Sequence, residues 1–127
     1  MSPLERLTSG GRQVVYRLAT KAQWLKSQAS GEIVKTTLDE RDGFIHLSTA
    51  GQLVLTANMH FSDEPLLHAL LFDRDDLEEK LKWEDVPGRW DKMPHYYGDL
   101  YLKDVQKSFQ MDRNLGGSFG IMTQGAI

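Results

Sequence analysis

Apolar and polar positions alternate in two successive units that each read as a strand followed by a helix. The run Val14-Val15-Tyr16-Arg17-Leu18 is β-branched and aromatic and ends at Thr20, which predicts a first strand. Thr20 and Gln23 have capping-box spacing, in which a hydroxyl and an amide satisfy free backbone donors at a helix start. Ala22, Leu25 and Ala29, with Trp24, supply a buried stripe to about residue 29, and Gly31 is a plausible stop. The order then recurs. Residues 44–48 predict a strand, Thr49 and Gln52 a second box, and a helix follows to about His60 with Leu53, Thr56, Ala57 and His60 on one face. Between the units, residues 31–42 read mostly as connection, with a weak edge strand over 33–36 and a charged turn at Asp39-Glu40-Arg41-Asp42.

The second half changes pattern. Residues 66–72 form a short apolar run broken only by His68, which predicts a central strand buried on both faces; helix is the competing reading. A helical turn over 75–80 and a strand over 81–84 follow. Residues 86–94 hold two prolines and a glycine and predict a loop that carries Trp90. Residues 99–102 and 105–111 predict paired short strands turning at Lys103-Asp104. The expected organisation is a flexible leader over 1–12, a single globular domain over 13–111 and a flexible, glycine-rich tail over 112–127.

Composition narrows the chemistry. The 127 residues are 40% apolar and 26% charged, close to the soluble average, and contain no cysteine, so oxygen, nitrogen and backbone groups must carry any reaction. The net charge of -3 is made from scattered cations, which argues against general nucleic-acid binding. No apolar run suits a membrane span, and residues 1–12 lack the apolar stretch of a secretory signal, so a cytoplasmic location is expected.

Two clusters could carry chemistry. On the 44–48 strand, Ile45 and Leu47 point one way while Phe44, His46 and Ser48 point the other, and Ser48-Thr49 sits where free backbone N–H groups would favour an anionic or polar ligand. The alternative is that Thr49 caps the helix, Ser48 satisfies a turn and His46 is a hydrogen-bonded, semi-buried histidine. The second cluster, Met93-Pro94-His95-Tyr96-Tyr97-Gly98, offers an imidazole able to exchange a proton near neutrality, or else a hydrogen-bonded loop anchor. Glu84 could be a carboxylate over the same pocket or a solvated strand-end charge. Arg17 either lies on an edge or faces a site, and His60 and His68 read as packing residues. Spacings typical of metal ligands, phosphate loops and nucleophile elbows are absent, and no metal site is expected.

The segments VYRLAT at 15–20, DGFIHLSTAGQL at 42–53, KWE at 82–84 and PHYYGDL at 94–100 resemble the family called domain of unknown function 952, over about residues 13–111. That family is similar in fold to the ADP-ribosyltransferase superfamily, which implies an α+β fold: a small single domain of split, mostly antiparallel sheets with flanking helices. The resemblance implies a cleft for a small-molecule ligand such as a nucleotide, with NAD as a candidate substrate. Tyr16 and Arg17 would then contact the dinucleotide, and His46, Ser48 and Thr49 would line the nicotinamide pocket, with Trp90 and Tyr97 as further ligand contacts. His95 or Glu84 would stand where active transferases often carry a catalytic glutamate, His95 lying in the more specific motif. A non-catalytic binding module is the alternative. Both readings require His46 and His95 to share a concavity, with rings no more than ~10 Å apart.

Overall fold

The computed structural model describes residues 13–125, which fold as two antiparallel sheets with helices around them. The larger sheet has the order β1 (Val14–Ala19), β3 (Leu66–Asp73), β6 (Val105–Arg113), β7 (Phe119–Gly125). The smaller has the order β2 (Ile45–His46), β5 (Met93–Tyr96), β4 (Leu81–Glu84). The helices are α1 (Lys21–Ser30), α2 (Thr37–Asp42), α3 (Leu53–His60) and the single turn α4 (Arg74–Leu77). This is a small α+β domain of antiparallel sheets, as the family resemblance implies.

β3 runs between β1 and β6 and carries two cores on its alternate faces. Leu70 and Phe72 pack with Val15, Trp24, Ile45 and Leu47, between the larger sheet, α1 and the smaller sheet. Leu67, Ala69 and Leu71 pack with Tyr16, Leu18, Leu53 and Ala57, against α3. This two-sided burial explains why the 66–72 run is continuously apolar. Arg17 is in phase with Val15 and Ala19 and so lies on the side of β1 that meets the smaller sheet.

The first helix starts and stops as expected: Gln23 N–H donates to Thr20 Oγ1 at 3.1 Å, Thr20 N–H donates to Gln23 Oε1 at 2.9 Å, and Gly31 ends it at φ 81°. The second helix starts less regularly. Ala50–Gln52 is a 3-10 turn, with the Thr49 N–H bonded to Gln52 Oε1 at 3.0 Å, and α3 proper begins at Leu53.

Four expectations are corrected. Residues 37–42 are not a charged turn but the helix α2, capped by Thr36 and Asp39 and closed by Gly43 at φ 80°. His95 is not in a loop: β5 is the central strand of the smaller sheet, and Pro94 joins the ladder through its carbonyl, which accepts the Leu47 N–H at 3.1 Å. Residues 99–102 do not pair with β6; Tyr101 bridges Glu32, and the 3-10 turn Leu102–Asp104 leads into β6, which pairs with β3 and β7. The stretch from 112, expected as a tail, supplies the end of β6 and, over Phe119–Gly125, the edge strand β7, in which Phe119 is buried. The leader over 1–12 lies outside the described residues.

Between Leu47 and Ser48 the chain passes from one sheet to the other. Leu47 still donates to β5, whereas Ser48 and Tyr16 exchange two backbone hydrogen bonds of 2.8 Å on the outer edge of β1. That tie covers part of an otherwise open sheet edge.

Candidate functional site

A cavity of about 190 Å³ lies where β1, β2, β5, α2, α3 and the loop between β4 and β5 converge. Four of the predicted residues, Arg17, His46, Ser48 and His95, line it. The rings of His46 and His95 are 5.6 Å apart between centroids, well within the spacing both readings require.

Arg17 and Asp39 form the deepest ion pair, with side chains 6% and 1% exposed. Arg17 Nη1 donates to Asp39 Oδ1 at 3.2 Å and to the His46 carbonyl at 3.0 Å, and Nη2 donates to the Val34 carbonyl at 3.2 Å and to Asp39 Oδ2. Asp39 also accepts from the Thr36 N–H at 2.8 Å, the His46 N–H at 3.1 Å and His46 Nδ1 at 2.7 Å. Burial pushes the Asp39 carboxyl up, but the bonds from His46, the Arg17 charge and the Thr36 N–H outweigh it and hold the group well below the usual carboxylate range. The result is a locked strut between β1, α2 and β2. Arg17 is therefore a neutralised structural cation, in contrast to the phosphate or ribose contact that the family resemblance implies for it.

His46 Nε2 faces Asp42 Oδ2 at 2.9 Å, so both ring nitrogens meet carboxylate oxygens. His95 is supported from one side only. Its Nδ1 lies 2.8 Å from Glu84 Oε1, and Phe44 stacks on the ring at 4.0 Å. The Tyr97 hydroxyl donates to the same oxygen at 2.6 Å. That hydroxyl, and then His95, hold the Glu84 carboxyl below its ordinary value, while the same hydrogen bond raises the Tyr97 phenol. An ionised Glu84 requires the Nδ1–H tautomer of a neutral His95, which leaves Nε2 as an unprotonated acceptor on a residue that lines the cavity.

The remaining predicted residues fall elsewhere. Glu84 stands behind His95 and does not line the cavity; Tyr97 touches Glu84 and borders a shallow groove with Phe44 and Gly43. Tyr16 is buried in the α3 core, where burial raises its phenol, and it serves the site through its backbone. Thr49 lies beside the cavity, and three of the N–H groups at this junction are used: Ser48 bonds Tyr16, Thr49 bonds Gln52 Oε1, and Gln52 bonds the Thr49 carbonyl. Trp90, 99% exposed, does not line the cavity. His60, read as a packing residue, is an exposed member of the cavity rim.

Sequence reasoning missed Asp39, Thr56 and Arg89. Asp39 had a local signal, the capping spacing from Thr36. Arg89 and Thr56 had none: Arg89 Nη1 and Nη2 reach Thr56 Oγ1 at 3.2 and 3.3 Å across 33 residues of chain.

The fold and cavity define a small α+β domain with a histidine-lined recess at the meeting of two antiparallel sheets. Residues 18–108 match the profile described as "Protein of unknown function (DUF952)", and the chain belongs to that family. The crystal structure of protein CC0527 from Caulobacter crescentus is 31% identical, with a TM-score of 0.76 over 84% of this chain and 93% of that one. The solution NMR structure of the same protein gives 31% identity and a TM-score of 0.71 over 83% and 90%. No curated protein matches the chain. Among the described residues, no helix is long and apolar enough to cross a membrane.

Proposed function

We propose that this protein binds a small polar molecule in the cavity and that His95, oriented by Glu84, exchanges a proton with it. The observation that carries this reading is the Glu84–His95 pair: an almost fully buried imidazole with one nitrogen fixed by a carboxylate and its other nitrogen left to the cavity wall. Support of this kind sets the tautomer and orientation of a general base. The volume of about 190 Å³ is below the ~300 Å³ at which drug-sized pockets begin, so a compact ligand, or one end of a larger one, fits inside.

Glycosyl transfer from NAD is the second reading. In its favour, His46, Ser48 and His95 line one wall, where the nicotinamide ribose end would enter. Against it, Arg17 is neutralised by Asp39, and Glu84 is separated from the cavity by His95. Incubation of the protein with NAD, with free nicotinamide followed over time, separates the two. Release abolished by His95→Ala and by Ser48→Ala supports glycosyl transfer. Saturable stabilisation by NAD, ADP-ribose or nicotinamide without release supports binding alone, because a ligand of the native state raises the melting temperature. If no ligand stabilises the protein and no nicotinamide appears, the cavity is not a nucleotide site.

A further inference from the structure

Of the three charged side chains that line the cavity, Arg17 and Asp39 cancel each other. Arg89 is the third, and it is held differently. Its two terminal nitrogens share one neutral oxygen, Thr56 Oγ1, and among the described residues it forms no ion pair with a carboxylate. Of the acids near it in sequence, Asp85 pairs with Lys92 at 3.2 Å, Glu84 holds His95 and Tyr97, and Asp91, two residues on, makes no salt bridge to it. A half-buried guanidinium with N–H groups to spare and no counter-ion is a poor structural element and a good receptor for an oxyanion, which it can meet in bidentate geometry. Thr56 adds to this. Its oxygen accepts from Arg89 and lies 3.4 Å from Ser48 Oγ, so its own proton is left to donate.

Besides its histidines and hydroxyls, the wall carries apolar side chains. Leu38 and Met59 stand exposed at the rim, with Phe61, Val86 and Pro87 lining the cavity beside them. We infer that the cavity recognises a small organic anion: a carboxylate or phosphate monoester on a compact apolar body, its oxyanion held by Arg89 and Thr56. This names the ligand class of the site proposed above and rests on that reading. The two oxyanions share the chemistry that Arg89 reads, and experiment distinguishes them.

The test is a titration of the full chain at low ionic strength with benzoate, phenyl phosphate and benzamide, followed by amide chemical shifts of cavity residues. Benzamide has the shape of benzoate without its charge. One or both anions are expected to bind about tenfold or more tightly than benzamide, a preference that shrinks as potassium chloride is added. The tighter anion identifies the headgroup. Arg89→Gln should bring both anions to the benzamide level while leaving benzamide binding intact, which also shows that the variant is folded; Arg89→Lys should keep part of the preference. If benzamide binds as well as the anions, or if Arg89→Gln retains the preference, the anion subsite is overturned and the cavity reading stands. If none of the three shifts the cavity resonances at about 10 mM, weaker than the usual range for a specific site, both fall together.

Discussion

His46 and His95 sit opposite one another in the β2–β5 register, with ring planes inclined at 65°, and each presents Nδ1 to a different carboxylate, Asp39 and Glu84. The two imidazoles share a wall and the aromatic face of Phe44 but have separate supports. Each can therefore be perturbed without the other.

Glu84→Gln should release the tautomer of His95. In the wild type, the imidazole nitrogen shifts of neutral His95 should report Nδ1 protonated and Nε2 bare; in the variant the two tautomers should mix, while His46 is unchanged. An unaltered His95 spectrum would mean that Glu84 does not orient the ring.

Asp39→Ala should be among the most destabilising single changes in the chain. It strands the buried Arg17 charge and removes acceptors from Thr36 and His46. A loss of about 3–5 kcal/mol in urea unfolding is expected. The paired change Arg17→Met with Asp39→Leu should recover most of it, since removing both charges removes the penalty of leaving one unpaired.

Acid should expose the same strut. Asp39 has a folded pKa below its unfolded value of about 3.9, so its contribution is complete above that pH and is lost as pH falls towards the depressed folded value. Stability measured by denaturant should thus be level in this respect from neutral to about pH 4 and decline below it. Asp39→Asn should flatten that decline, and an unchanged slope would count against the pair.

Gly43→Ala should cost about 1–2 kcal/mol through backbone strain alone, because residue 43 has φ 80° and open space where a Cβ would go. Its neighbours Phe44 to His46 build the wall of the site, so the measurement to pair with thermal unfolding is ligand binding, which should weaken as α2 loses its stop. Trp90→Ala, at a fully exposed position, should change stability by no more than about 0.5 kcal/mol.

What could be read from the sequence was local or repeated. The Thr20–Gln23 box, the Gly31 stop and the two-sided β3 each leave a signature within a few residues, and each formed as expected. The Thr36–Asp39 box has the same spacing, but α2 is only six residues long and shows no buried stripe; what buries Asp39 is Arg17, 22 positions earlier. Pro94 argued for a loop because a proline cannot donate to a ladder, yet a four-residue strand needs only its carbonyl on the side of β2. The histidine wall was legible because His46 and His95 each sit inside a distinctive short motif that contributes its histidine to β2 or β5. Arg89 was not, since a loop arginine gains meaning only from the hydroxyl it reaches.

The paired backbone bonds between Tyr16 and Ser48 make this cavity depend more on spacing than on side-chain identity. They fix the distance along the chain from the tie to His46, and alternate residues face opposite ways, so inserting or deleting one residue between 46 and 48 would exchange the places of His46 and Leu47. A lineage could replace the lining of the recess residue by residue and keep the recess, whereas a single-codon insertion or deletion at that point would turn an imidazole into the core and a leucine out of it.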